Sequence, residues 1–502
     1  MRAPNPASAY IITSLSRRAG CDARELTTET HGARHRFHWM NPLVSGPVLG
    51  TLLRLTWPNL VAMGSLMFVS VAETWIVGRI GLPSLAAMSL VFTLIILMQN
   101  LAGGSIGGSV AALVSRELGR GRPDEANAIA FHGLIIALMI GTGFLLFFLT
   151  QGPWLYRLLG AKTDEVLSIA DGYSSTLAVV LPVMWWWMVL SAVLRGVGNM
   201  WLPARLTLVS AVIQPLLGVA LALGIGPVPA LGMVGVAIGQ IVPAVLSALF
   251  GLWYVADGRA GVRFTVDGRL PRLRFATFAA ILKLGGISSL QTVQSMVIVM
   301  GVGRLVAEFG VEALAAYGIG ARLEVLLMNV VWAVGVASVP MIGMSIGAGD
   351  VARARRAAWA ASAVSAAMML VIGGTLALLP DLWLRMFTSD PATLDAGRQY
   401  LHRVGPCLVF LGLGGALYFS SQGAGRLIGP LLASTMRLLV VVGGGVLLQT
   451  RGGGLDTLFM LIGIGMAVYG LGTMLAVRFS RWEPRQALKP GRPDPYARRA
   501  VR

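Results

Sequence analysis

WPNLVAMGSLMFVSVAETWIVGRIGLPSLAAMSLVFTLIILMQNLAGGSIGGSVAALVSRELGRGRPDE, residues 57–125, holds two apolar runs joined by a short turn at Gly81. Each run reaches the roughly 20 apolar residues that a membrane-crossing helix needs. The first places Glu73 where hydrocarbon would otherwise surround the chain, and a carboxylate there is costly enough to mark a functional position. The second ends in the small-residue run GGSIGGS at 103–109, which lets neighbouring backbones approach closely. A weaker copy of the whole stretch recurs in the second half of the chain, and that recurrence decides the architecture.

Composition agrees with the membrane reading. Of 502 residues 56% are hydrophobic and 12% charged, whereas a soluble domain carries about a quarter charged residues. The runs are long and continuous, unlike the short alternating segments of an outer-membrane barrel. The net charge of +18 does not point to nucleic acid, because the arginines lie between apolar runs and in the two tails rather than along one face. Cys21 and Cys407 offer neither a disulfide framework nor metal spacing. No HExxH, Walker A or strand–GxGxxG–helix pattern appears. The expectation is a non-enzyme without cofactor or metal, embedded in a lipid bilayer and monomeric.

The chain divides into a polar basic leader (1–45), a first lobe (46–255), a basic connector (256–275), a second lobe (276–479) and a basic tail (480–502). Six spans are expected in each lobe, the first near 49–77 with a kink at Pro58. Arginines concentrate in alternate connectors: Arg116, Arg120 and Arg122; Arg259, Arg263, Arg269, Arg272 and Arg274; Arg353, Arg355 and Arg356; and Arg426. The positive-inside rule puts these connectors, and both termini, in the cytoplasm. An even number of spans requires the same.

Three blocks repeat at nearly constant spacing. GLPSLAA at 81–87 answers to GVEALAA at 310–316, SRELGRG at 115–121 to GMSIGAG at 343–349, and RGVG at 195–198 to QGAG at 422–425. The offsets lie between 227 and 229 residues. Six spans preserve orientation, so the halves are parallel repeats about an axis along the membrane normal. Two such bundles enclose a cleft whose opening can alternate between sides, as a transporter requires. The fold class is all-α, polytopic, with twelve transmembrane helices in two six-helix lobes.

VAETWIVGRIG with SLAAMS, SRELGRGRPDEA, RGVGNMWLP with QGAGRLIGP, and GARLEVLL with IGMSIGAGD together resemble the multidrug and toxic compound extrusion (MATE) transporters over about residues 50–480. The resemblance implies export of large, often cationic and amphipathic compounds, coupled to inward flow of protons or sodium ions.

Several residues are candidates for that work. Burial disfavours the charged form of a carboxyl group and suits Glu73 to reversible proton uptake; ionised, it and Ser70 would offer oxygens to sodium. A solvated position at the membrane boundary beside Arg79 is the alternative. Gln214 and Gly218 fall where the resemblance expects an amide and an acid on the fifth helix, so the acid is missing. Gln214 is open to two readings, a donor to Glu73 or helix glue. In the second lobe the position matching Glu73 falls at Ile298 or its neighbour, and Glu324 is the main acid, with Arg437 as its expected partner. That pair is open to a structural or a coupling role. Pro58 and Arg437 are the conformational candidates. Gln291, Gln294, Tyr418 and Trp187 are the candidates for a substrate cavity, although the Trp185–Trp186–Trp187 run also fits membrane-facing packing.

The reading is an inner-membrane efflux transporter of small organic molecules working by alternating access, with proton coupling preferred. The rivals are a lipid-linked oligosaccharide flippase of the same superfamily, which should need a more cationic cleft, and a non-transporting receptor or scaffold.

Overall fold

The computed structural model describes residues 42–160, 163–225, 229–263 and 271–482. Nearly all of the expected leader and tail, and the middle of the basic connector, lie outside these residues. Among the described residues, eleven helices are long and apolar enough to cross a membrane. In lobe 1 these are α1 (Val48–Ile80), α2 (Leu82–Gly119), α3 (Pro123–Leu158), α5 (Trp201–Leu223) and α6 (Gly232–Ala256). In lobe 2 they are α7 (Phe275–Ala307), α8 (Val311–Gly347), α9 (Val351–Leu378), α10 (Pro391–Ala424), α11 (Ile428–Thr450) and α12 (Leu455–Phe479). The twelfth span, α4, is a pair, Asp164–Ala178 and Leu181–Gly196, bent by 54°. Pro182 stands at the start of its second piece, where a missing N–H is tolerated. α1 remains helical through Pro58.

The repeat is visible in the backbone as well as in the letters. Gly81 and Gly310, Gly121 and Gly349, and Gly198 and Gly425 all take positive φ. Each pair occupies matching places in the duplicated blocks, at turns that other residues enter only with strain.

Among the described residues, the hydrogen bonds between the lobes gather toward one end, the end bearing the arginine-rich connectors. Arg116 of α2 donates to the carbonyls of Gln422 (3.0 Å) and Gly423 (2.9 Å). Gln422 in turn donates to the Gly104 carbonyl (2.9 Å) and the Ser288 hydroxyl (3.2 Å). The Arg195 guanidinium stands 5.5 Å from the Trp332 ring centre. Ahead of α1, the Leu43 and Gly46 carbonyls accept from Arg353 of α9. α2 and α8 cross at glycines: a Cβ on Gly119 would lie 2.8 Å from the Met344 Cα, and one on Gly347 would lie 2.9 Å from the Gly119 Cα. The described cross-lobe hydrogen bond deepest into the bilayer joins Ser105 and Thr292 at 3.0 Å.

Beyond that point each lobe has its own core. One gathers Ile76, Met88, Phe148, Tyr156, Tyr173 and Val236; the other gathers Ile298, Leu323, Tyr400, Leu408, Phe459 and Met466. α2 itself becomes a π-helix over Asn100–Gly107, the stretch that reaches Gln422 and Thr292. Such wide turns occur mostly at functional positions, and this one lies where contact between the lobes ends.

At the opposite end the turn between α9 and α10 is fixed by Asp381, which accepts from Arg398 (2.8 Å) and Arg385 (2.9 Å). The Arg398 hydrogen bond, with Arg385 behind it, holds the Asp381 carboxyl down to about 2. The stabilisation it lends is therefore complete above the ordinary carboxylate range and is lost only as pH falls through about 2. Proteolysis at this turn should be the same at pH 5 and pH 8, and the Asp381→Asn variant should be cleaved faster at both. Protection already lost at pH 5 would contradict the pairing.

Candidate functional site

α1 carries Glu73 two turns before its end at Gly81, roughly 12 Å inside by the helical rise. The side chain points into lobe 1 and is buried, at 5% exposure. Its Oε1 accepts from the Gln214 amide of α5 at 2.6 Å and from the Gln240 amide of α6 at 2.9 Å. The same Gln240 amide donates to the Tyr173 hydroxyl of α4 at 2.9 Å. Three helices of one lobe thus meet at one carboxyl oxygen, and the fourth, α4, joins through Gln240. Among the described residues, Oε2 has no hydrogen bond and Glu73 has no ion pair. Arg79 lies instead over the Trp75 ring at 5.0 Å, so the boundary pairing of Glu73 with Arg79 is not formed.

Gly218 explains how Gln240 arrives. A Cβ on Gly239 would lie 2.8 Å from the Gly218 Cα, so α5 and α6 touch backbone to backbone there. The residue next to Gly239 is Gln240, which that contact carries to Glu73. The acid missing at Gly218 is thus matched by a close crossing and an amide from the neighbouring helix. Gln240 was not among the sequence candidates; its signal was a lone amide in the apolar run of α6, the same signal Gln214 gave. Ser70 lies one turn from Glu73, but its hydroxyl makes none of the described contacts with the carboxyl.

The two amides share one acceptor, so their loss should not be additive. Gln214→Leu and Gln240→Leu should each destabilise the protein by about 1–3 kcal/mol. A double-mutant cycle by thermal unfolding should return a coupling of at least about 0.5 kcal/mol. Strict additivity would contradict the shared acceptor.

In lobe 2 no acid matches Glu73: the repeat offset of 227–229 places the counterpart at 300–302 rather than at Ile298, and Val302 there is buried in the core beside Ile298. Glu324 of α8 accepts a short hydrogen bond from the Tyr400 hydroxyl of α10. The expected Glu324–Arg437 ion pair is not among the described ones. Arg437 lies over the Tyr469 ring, 5.9 Å from its centre, and its buried Nε lacks a hydrogen-bond partner among the described residues. The physical reason is that Tyr400 of α10 takes the carboxyl and Tyr469 of α12 faces the guanidinium, partners that the sequence of α8 and α11 alone does not reveal.

Gln291 donates to the Tyr469 hydroxyl (3.1 Å) and Gln294 to the Thr435 hydroxyl (2.8 Å), both inside lobe 2. Their Oε1 atoms are buried without partners among the described residues. Trp187 packs on Gly251 of α6, within lobe 1, and Trp185 stacks on Phe144. Of the four cavity candidates, Tyr418 lies in the cluster that both lobes share, beside Phe419 and Ala112. No group of three or more metal-ligating side chains occurs among the described residues.

Comparison with known proteins matches both halves. The MatE family model covers residues 58–220 and again 285–447, a spacing equal to the internal repeat. The chain is 27% identical over 355 residues to an FAD transporter of Shewanella oneidensis, spanning 70% of this chain and 77% of that protein. It is 25% identical over 446 residues to the probable multidrug resistance protein YpnP of Bacillus subtilis, spanning 87% and 96%. Among solved structures, the Vibrio cholerae MATE transporter VcmN in its bent form superposes with a TM-score of 0.78 at 23% identity, covering 86% of this chain and 96% of that one. An outward-facing multidrug resistance MATE transporter of the MOP superfamily superposes with a TM-score of 0.79 at 21% identity, covering 88% and 98%.

Proposed function

The chain belongs to the MatE family, and from that premise we propose that it exports cationic or amphipathic organic compounds by antiport, with protons preferred over sodium as the coupling ion. It is a multi-pass membrane transporter and not an enzyme. The observation that carries the coupling proposal is the carboxyl of Glu73. It is buried, held by two neutral amides on one oxygen, and free of any described counter-cation. An acid in that setting gains most from a single small cation. One carboxyl with amide neighbours supplies few of the oxygens that sodium prefers, so the proton is the better fit.

With the arginine-rich end in the cytoplasm, as the positive-inside rule places it, lobes closed at that end form the outward-facing state of an alternating-access cycle. Ion binding can drive the switch only through its different affinity for the two states. We assign the chain to the inner membrane, with both termini cytoplasmic.

A second reading concerns the cargo. The FAD transporter named above favours an anionic dinucleotide in place of a cation. Efflux of a cationic dye from expressing cells, beside secretion of flavin dinucleotide into the medium, separates the two. Dye export above the empty-vector control supports the proposal. Flavin export with no dye export would overturn the cationic cargo and leave the transporter fold untouched.

A further inference from the structure

Between the lobes at the arginine-rich end lies a cavity of about 440 Å³ that the Glu73 account does not use. Arg116 and Glu117 of α2 and Arg120 just after it form its lobe 1 wall, while Lys283 of α7, Arg426 after α10 and Trp482 after α12 form its lobe 2 wall. Arg116 is engaged with the Gln422 and Gly423 carbonyls, and Arg120 with Glu117. The side chains of Lys283 and Arg426 form none of the described hydrogen bonds or ion pairs. The one acid is already tied to an arginine, so the cavity keeps an excess of positive charge.

Trp482 supplies a second, independent sign. It is buried, at 3% exposure, and held in place by Arg355, which donates to the Ser480 carbonyl at 2.6 Å and stands over its ring. Its indole Nε1–H is nevertheless buried without an acceptor among the described residues. A buried indole N–H nearly always finds one, and this tryptophan lines the cavity.

We propose that the cavity binds a phosphate-bearing anion. Lys283 and Arg426 supply the charge, and the Trp482 N–H supplies a donor. A phosphate group accepts several charged donors at once, and the volume falls within the range of small-molecule sites, with room for an organic group beside the phosphate. Because the walls come from both lobes, the ligand favours the arrangement closed at this end and shifts the population toward it. The phosphate belongs to a membrane lipid headgroup or to a soluble organophosphate, and the test separates these sources.

The full chain is purified in a maltoside detergent, which carries no phosphate, and its thermal midpoint is followed in two arms. One adds inorganic phosphate at constant ionic strength, so that general screening stays fixed. The other adds phosphatidylglycerol as mixed micelles. A rise in midpoint that saturates in the first arm identifies a soluble source, and one confined to the second identifies a lipid headgroup. In the productive arm, Lys283→Gln with Arg426→Gln should weaken the apparent affinity at least about tenfold, and Trp482→Phe by a few-fold, as expected for charged and neutral hydrogen bonds. Lys283→Gln alone, at an exposed side chain, serves if the double variant does not fold. No midpoint change in either arm, or equal changes in wild type and variants, would overturn the site.

Discussion

Glu73→Gln should abolish gradient-driven export while leaving a folded protein in the membrane. The substitution keeps the size of the side chain and an oxygen that the Gln214 and Gln240 amides can still reach at 2.6 and 2.9 Å. What it removes is the ability to exist in two charge states. Coupling free energies of 1–3 kcal/mol correspond to about 5–150-fold changes in affinity. With that differential gone, export driven by the gradient should fall by roughly two orders of magnitude. Dye efflux from energised cells reads the transport, and surface abundance with thermal midpoint reads the fold. Unaltered efflux in a normally expressed variant would remove Glu73 from the mechanism.

The second large effect concerns the closed end. Gly347→Val should pry α2 from α8, because a Cβ there already lies 2.9 Å from the Gly119 Cα and 3.0 Å from the Arg120 backbone nitrogen. Backbone cannot yield as a flexible side-chain tip can. Overpacking of this kind costs about 1–3 kcal/mol, which would shift the balance between closed and open arrangements by about 5–150-fold. Gly143→Val on α3 is the matched control, since a Cβ there meets nothing within 4 Å. Spin labels on Arg122→Cys and Arg356→Cys, with Cys21 and Cys407 replaced by serine, report the separation of the lobes. The Gly347 variant should show a longer distance population that the control lacks. Identical distributions would mean that the α2–α8 crossing does not hold this end shut.

Much of this was legible in the letters because a bilayer makes simple demands. Continuous apolar runs fix the spans, and duplicated glycine turns at 81 and 310, or 198 and 425, fix the two lobes. Glu73 stood out because hydrocarbon has no place for an unpaired acid. Its surroundings were only half legible. Gln214 lay on a helix the reading already singled out. Gln240 depends on two glycines on different helices, Gly218 and Gly239, meeting in space, and no one-dimensional pattern encodes that approach.

The same limit explains lobe 2. An isolated acid and an isolated cation, Glu324 and Arg437, invite pairing on charge alone, yet Tyr400 and Tyr469 take those places. Trp187 is a cavity candidate in the sequence, where consecutive tryptophans point in several directions and only one or two can face a cleft. A glycine on α6 decides which way this one turns.

Proteoliposomes holding the purified chain, with a proton gradient and a sodium gradient imposed separately, test the coupling claim most directly. A proton gradient without sodium should drive uptake of a cationic dye in wild type and none in Glu73→Gln. Uptake driven only by sodium, or by protons equally in both proteins, would contradict proton coupling through Glu73.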